Sequence, residues 1–469
     1  MADQMPTASF LGVDSSKVQL AVGQQAISAA ELKNVELRLQ DILDFSASEG
    51  KFDYIIAHGV YSWVPGPVRE RILAICAEHL TENGVAYISY NARPGWNLRE
   101  SLRQMMLYHT KGFSDPAVRV QQARALVAFL ADAVPAENTA FSSLLKSELA
   151  LMTSLSDNYL LHDILGVENT PFYFHEFIGQ AAAHGLQYLS EPSIAEMLTA
   201  NFPDKVHQTL SKLDKQIVAQ EQYMDFLRNR SFRQTLLCRS SVKIRRALNP
   251  NVLGQFSFRS SLVQATGPVE LVAGVQVAFA TVGGLQITSA DPFVKAAALL
   301  LTETRGVAAI SYQALLEGAR ARSRPFLGAV PPNRDQIDEA TLQTNLLNLL
   351  AKGLLEVHSD QVNVSTDVPE KPRVSAFARY QAFNARLITN PMHQSVPADL
   401  VARYVIAACD GTRTRAELVD ALIERVKEGK LQVNEGAAKV TDEKRLAAVL
   451  APRVDSALSA LALAGFFAG

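Results

Sequence analysis

Two short apolar runs, each closed by an aspartate and set one helix apart, limit this chain more than any other feature. Phe10-Leu11-Gly12-Val13-Asp14 reads as a strand ending in a carboxylate, with a helix from Ser16 to about Leu32 behind it. Val35-Glu36-Leu37-Arg38-Leu39-Gln40-Asp41 alternates apolar and polar residues, the period of a half-exposed strand, and ends in a second carboxylate. Phe52–Ala57 is a nearly continuous apolar run, as expected of a strand covered on both faces. Val68, Ile72, Ile75, Cys76 and Leu80 then recur at helical spacing, Gly84 follows as a stop signal, and Val85–Tyr90 is the next strand. Strands separated by helices pair in parallel through right-handed crossovers. The expected fold class is therefore α/β, a doubly wound parallel sheet with its chemistry at the carboxyl ends of the strands.

In such sheets an acidic residue at the tip of the second strand holds ribose hydroxyls. It comes about twenty residues after a glycine-rich strand-to-helix turn. Asp14 has only thirteen residues before it, too few for that turn and its strand. The sheet is thus expected to be incomplete, and a reading frame truncated upstream of Met1 is the expected cause. Asp14 and Asp41 would sit at neighbouring strand tips, able to accept from ribose hydroxyls and an adenine amino group. Taken singly, each serves equally well as a helix cap or a turn closure.

The loops after the next two strands carry the other candidates. His58-Gly59-Val60-Tyr61-Ser62-Trp63-Val64-Pro65 follows the most apolar strand, where loops line the reacting centre. Tyr61 and Trp63 offer aromatic faces to a cation, sulfonium or ammonium. The competing reading is a packed loop whose Pro65 starts the helix. In Ser89–Trp96, Asn91 is placed to orient a substrate amine or hydroxyl, and Gly95 permits a tight turn beneath Trp96. A plain Pro94-Gly95 turn explains the same residues equally well. The nine histidines form no HxxH, HExxH or HxxxH pair, so no metal is expected, and neither a nucleophile elbow nor a Walker loop is found.

A chain of 469 residues suggests about three domains. Its apolar fraction of 48% and charged fraction of 20% are ordinary for a globular protein, and a net charge of −2 argues against a globally steered polyanion binder. Cys76, Cys238 and Cys409 are odd in number and far apart, which indicates neither a disulfide framework nor a zinc knuckle. No signal peptide is expected, and the apolar stretch Ala457–Ala468 is too short to span a bilayer. The expected compartment is the cytoplasm, with no transmembrane segment.

The run from Phe10 to Trp96 resembles a class I S-adenosylmethionine-dependent methyltransferase from its second strand onward. The words HGVYSWVP, ISYNARPGW and YMDFLRNRSFRQTLLC resemble bacterial methyltransferases that carry a methyltransferase regulatory domain. Relatives of that architecture include lysine methyltransferases of outer-membrane proteins. The resemblance implies S-adenosylmethionine as cofactor, Asp14 on its ribose, Asp41 and Ile42 at its adenine, and His58 and Gly59 toward its methionine part. It puts Tyr61 and Trp63 at the acceptor pocket, to which the residues add Asn91 and Trp96. The family's glycine-rich first motif has no counterpart here. Its strand would lie between those ending at Asp14 and Ala57, and each buried backbone group left unpaired costs about 1–3 kcal/mol.

Residues 98–170 read as a helical insertion, with Met105, Met106 and Tyr108 in a stripe expected to be core or dimer interface. Analogues in the family use this region to dimerise, so a homodimer is expected. The chain returns to the sheet at 171–195, completing the domain begun at 1–97. Residues 196–265 are expected to be a helical regulatory or linker region. The basic run from Arg228 to Arg246 reads as a solvated helix face or as salt bridges, ahead of an anion-binding site.

Residues 266–368 read as a winged-helix-like module, with Val275–Thr281 and Leu285–Ser289 as one hairpin and 353–364 as a second. Residues 373–469 form another such module, with a capping box at Thr414 and Glu417. Winged helices often bind DNA, but Asp335–Ala351 carries Asp335, Asp338 and Glu339 where a phosphate reader needs Arg and Lys. Nucleic acid is therefore not the expected partner. The leading reading is a methyltransferase acting on a protein, most simply on a lysine amine. The alternatives are a non-catalytic interaction or regulatory module and, behind it, a winged-helix DNA-binding regulator.

Overall fold

The computed structural model describes residues 1–468 except 136, 138, 214, 265–268, 282, 305, 329–330, 360–363 and 437. Contacts group it into two units, residues 1–40 with 247–469, and residues 41–246.

The first unit opens on β1 (Phe10–Asp14), α1 (Lys17–Ala29) and β2 (Val35–Leu39). The strands pair in parallel, Phe10 opposite Val35 and Asp14 opposite Leu39, with α1 as the crossover. Ser16 caps α1 by accepting from the Gln19 amide, and α1 packs on the helix Ala376–Asn384. In the first module the hairpin Val277–Thr281 with Gln286–Ser289 forms as expected, beside the helices Pro292–Glu303, Tyr312–Ser323 and Arg334–Ala351.

The second expected hairpin falls partly outside the described residues. Leu355–His358 pairs with Ser257–Ser260, whose fully buried Phe258 gives it a core face, and much of the remainder lies outside the described residues. In the second module Thr414 and Glu417 make the capping box, opening the helix Arg415–Lys427. The helix Glu443–Leu463 is long and apolar enough to cross a membrane. Its Leu446, Leu450, Val454 and Leu458 are instead buried in the core of the module, against Leu418 and Leu422.

The second unit is built on four strands in the order β3-β4-β6-β5. In chain order it runs β3 (Phe52–Ala57), α2 (Gly66–His79), β4 (Leu80–Asn91) and the insertion helices α3 (Gly95–Thr110), α4 (Pro116–Ala133) and α5 (Thr139–Ser154). Then come α6 (Phe174–Ala183), β5 (Leu186–Ser190), α7 (Ile217–Arg228) and β6 (Phe232–Arg239). β3 and β4 are parallel, with Ile55 opposite Ala86 and Ala57 opposite Ile88. Gly84 lies inside β4 rather than stopping the helix before it. The insertion has its own core of Leu102, Met106, Val127, Leu145 and Leu160.

Two expectations are corrected in this sheet. Tyr54 and Ile56 are 73% and 54% exposed, so β3 is not covered on both faces. It pairs only with β4 among the described residues, and no neighbour covers those side chains. The basic run is not a solvated helix face either. Phe232–Arg239 is a strand inserted antiparallel between β4 and β5, and the salt-bridge reading holds for Arg230 and Arg233, while Lys243 and Arg245 are exposed. Arg239 donates to Leu80 O at 2.6 Å, Arg246 to Tyr188 O at 2.6 Å, and Arg233 is 1% exposed.

Candidate active site

Asn91, at the tip of β4, is the best-fixed polar group in the site. Its backbone amide donates to Ser62 Oγ at 2.9 Å, and its carbonyl accepts from the Phe172 amide at 2.9 Å. Its side-chain Nδ2 donates to Asn169 Oδ1 at 2.8 Å, and Asn169 Nδ2 donates to Glu100 Oε2 at 3.3 Å. An ionised carboxylate only accepts. Glu100 therefore fixes which way Asn169 points, and Asn169 fixes Asn91. The consequence is that Asn91 Oδ1 is an acceptor with no described protein partner. Trp96 Nε1 reaches the same Glu100 oxygen at 3.3 Å.

Trp63 stands edge-to-face with Trp96, ring centres 6.1 Å apart. Trp63 comes from the single helical turn Tyr61–Trp63, and Trp96 from the first turn of α3. Between β3 and that turn, Gly59 has φ of 69°, and nothing lies within 4 Å of where a Cβ would be. Its amide donates to Ser89 Oγ at 2.8 Å. His58 is exposed and meets the Tyr87 hydroxyl at 3.0 Å. The structure thus brings His58, Gly59, Trp63, Asn91 and Trp96 onto the neighbouring tips of β3 and β4.

Tyr61 does not join them. It is 0% exposed, packs on Phe172 and Phe177, and donates its hydroxyl to Gln180 Oε1 at 2.8 Å. Burial pushes that hydroxyl far above the usual tyrosine range. Its aromatic ring is core, so it is withdrawn from the pocket. The two aspartates are exposed and each closes a local turn. Asp14 Oδ1 accepts from the Ser16 amide at 2.7 Å, and Asp41 Oδ1 accepts from the Leu43 amide at 2.9 Å. Each keeps its other oxygen without a described partner. Ile42 packs against the core beneath β3 and β4. Asp14 lies in the first unit, and the other candidates lie in the second.

Sequence reading missed a dry ionic cluster beneath the same sheet. The Arg233 guanidinium meets Asp225 at 2.8 Å, Glu191 at 2.7 Å and Glu221 at 2.9 Å, with every partner side chain 1% exposed or less. Burial raises all three carboxyls, Glu191 to about 7, against the pull of Arg233. Asn169 and Glu100 were missed as well. Neither stands in a motif, and Asn169 reaches Asn91 across 78 residues of sequence.

An α/β sheet whose strand tip carries an oriented amide, with two indoles in the turns that follow the strands, is compatible with the α/β methyltransferases, and comparison with known proteins gives that class. Residues 1–84 match the methyltransferase domain, 156–239 the predicted methyltransferase regulatory domain, and 370–466 the PKMT C-terminal winged helix domain. The structure is similar to that of PKMT2 from Rickettsia typhi in complex with AdoHcy. The TM-score is 0.86 at 32% identity, over 100% of this chain and 91% of that one. The uncharacterized protein RP789 of Rickettsia prowazekii is 33% identical over 451 residues, 94% of this chain and 79% of its own length. The chain belongs to the PKMT family of methyltransferases. Neither the interaction-module nor the DNA-regulator alternative is favoured by these matches.

Proposed function

We propose that the chain transfers a methyl group from S-adenosylmethionine to the side-chain amine of a protein lysine. Membership of the PKMT family and the likeness to a PKMT2 structure holding AdoHcy support the cofactor and the substrate class. The observation that carries the reading is the acceptor at Asn91 Oδ1, which has no described protein partner and is oriented through Asn169 by Glu100, the carboxylate that Trp96 Nε1 also reaches. When bound, the cofactor supplies a methyl group on a sulfonium, and the displacement is in line, so positioning does most of the catalysis. Asn91 Oδ1 accepts an N–H of the amine and so sets the direction of its lone pair. The indole pair offers a cationic head group the partly exposed ring of Trp63, while Trp96 is buried with the Arg99 guanidinium 5.2 Å from its ring centre. By excluding water the pair also lowers the amine pKa toward the neutral, nucleophilic form.

The residues present fit the cofactor. Asp41 keeps a spare carboxylate oxygen at an exposed tip, and the space at Gly59 is open to close approach. Within residues 41–246, Asp41 and Ile42 would hold the adenosine, with His58 and Gly59 toward the methionine part. Calorimetry with AdoHcy tests this. Losing a hydrogen bond to a charged group costs about 1.5–3 kcal/mol, so Asp41→Ala should weaken binding roughly 10- to 100-fold. Absence of any heat from the unaltered chain would remove the cofactor reading.

Two further points belong to the same proposal. The three cysteines are free and buried, which suits a reducing compartment such as the cytoplasm. A homodimer through the insertion is supported by apolar residues left open there: Leu98, Met105 and Tyr108 on α3 and Phe129 on α4 are 51%, 40%, 73% and 66% exposed. Sedimentation should give twice the chain mass, and the double substitution Tyr108→Lys, Phe129→Lys should halve it. A monomeric parent chain would end the dimer reading.

A further inference from the structure

The loop Ala92–Trp96 is held from one side by the residues that follow α7. The Ala92 amide donates to Ser231 O at 2.9 Å, and the Gly95 amide to Arg230 O at 2.9 Å. A Cβ on Gly95 would lie 2.3 Å from Asn229 O and 2.7 Å from Arg230 O, so no side chain fits at this contact. Wherever the Arg230 backbone goes, the start of α3 and Trp96 must follow.

The Arg230 side chain runs the other way, into carboxylates. It lies 3.1 Å from Asp225, 2.9 Å from Glu196 and 3.7 Å from Glu191. Glu191 and Asp225 are shared with Arg233, which also takes Glu221. Two guanidiniums thus face three dry carboxylates, and one oxygen of Glu221 is buried without a hydrogen-bond partner. Fully ionised, this dry group carries one negative charge in excess.

We propose that Arg230 is a positioning residue for the acceptor side of the site, transmitting the charge state of the buried carboxylate cluster to Trp96 through its own backbone carbonyl. The proposal rests on the methyltransferase reading, in which Asn91 and Trp96 face the acceptor. Glu191 is the member that changes charge. Facing it are Arg233 on β6, Arg230 after α7, and Glu221 and Asp225 on α7. The hydroxyls of Tyr87 and Tyr90 on β4 and Tyr188 on β5 also feel its charge, and Glu196 shares Arg230 with it. Burial outweighs the cations and raises its carboxyl to about 7. Below that pH Glu191 is protonated and Arg230 is left to Asp225 and Glu196. Above it, ionised Glu191 competes with Asp225 and Glu196 for Arg230.

The chain has two tryptophans, Trp63 and Trp96, so intrinsic fluorescence reads this loop in the intact protein. The emission should titrate with a midpoint near neutral pH, and Glu191→Gln should flatten that titration. Arg230→Gln should shift the emission to the red across the range. Arg230→Lys, which keeps the charge but not the planar fork, should shift it partly. A Glu191→Gln chain that titrates like the parent overturns the proposal, as does parental emission from folded Arg230→Gln or Arg230→Lys. The readout needs neither cofactor nor substrate. Failure to bind AdoHcy would count against the enzyme reading alone and leave this result standing.

Discussion

Arg233→Met should destabilise the unit of residues 41–246 by about 3–5 kcal/mol at neutral pH, the cost of leaving buried charges without their partner. Glu191, Glu221 and Asp225 would keep only the outlying Arg230 beside them. The pH dependence identifies the cause. A carboxyl whose pKa is higher in the folded state binds protons there that the unfolded chain has released. Its contribution to stability therefore falls as pH rises from the unfolded value of 4.5 to the folded value, about 7 for Glu191. Without Arg233 the folded carboxyl pKa values rise further, because the cation that opposed burial is gone. The gap between variant and parent should therefore widen with pH. Urea unfolding at pH 5, 6, 7 and 8 measures it; a gap independent of pH would mean that the cluster is held by packing rather than charge.

How far the sequence discloses this molecule depends on whether a residue's role is settled nearby or far away. β1, β2, α2 and the Thr414–Glu417 capping box follow from periodicity and cap chemistry over a few residues, and they stand where expected. β6 does not, because its alternation puts Arg233 on the buried face. A cation there makes sense only once Glu191 and α7 are known to meet it. Tyr61 shows the same limit from the other side. A tyrosine after a glycine suits a pocket wall, yet Gln180, 119 residues on, and Phe177 settle it as core. The apolar run in β3 reads as a doubly covered strand, yet Tyr54 and Ile56 are exposed, because whether a neighbour covers a strand face is not local information. Asn91 was legible as an amide at a strand tip. The direction in which it points was not.

That direction supplies the larger functional expectation. Asn91→Ala should lower kcat about 10²- to 10³-fold, the usual effect of removing one oriented polar group at a reacting centre, while AdoHcy affinity stays within about twofold. The backbone contacts of residue 91 to Ser62 and Phe172 survive the change, so the tip of β4 keeps its place. Glu100→Gln is the sharper companion. A neutral amide at position 100 can donate as well as accept, so Asn169 can turn over and Asn91 can present Nδ2 to the amine instead of Oδ1. Nothing at the tip is removed, yet activity should fall, and by less than in Asn91→Ala because both orientations are then populated. Steady-state kinetics on a lysine-containing protein substrate, with AdoHcy calorimetry on the same samples, reads both effects. Full activity in Glu100→Gln would show that the acceptor is oriented by something other than this carboxylate, and full activity in Asn91→Ala would take the amide out of the chemistry altogether.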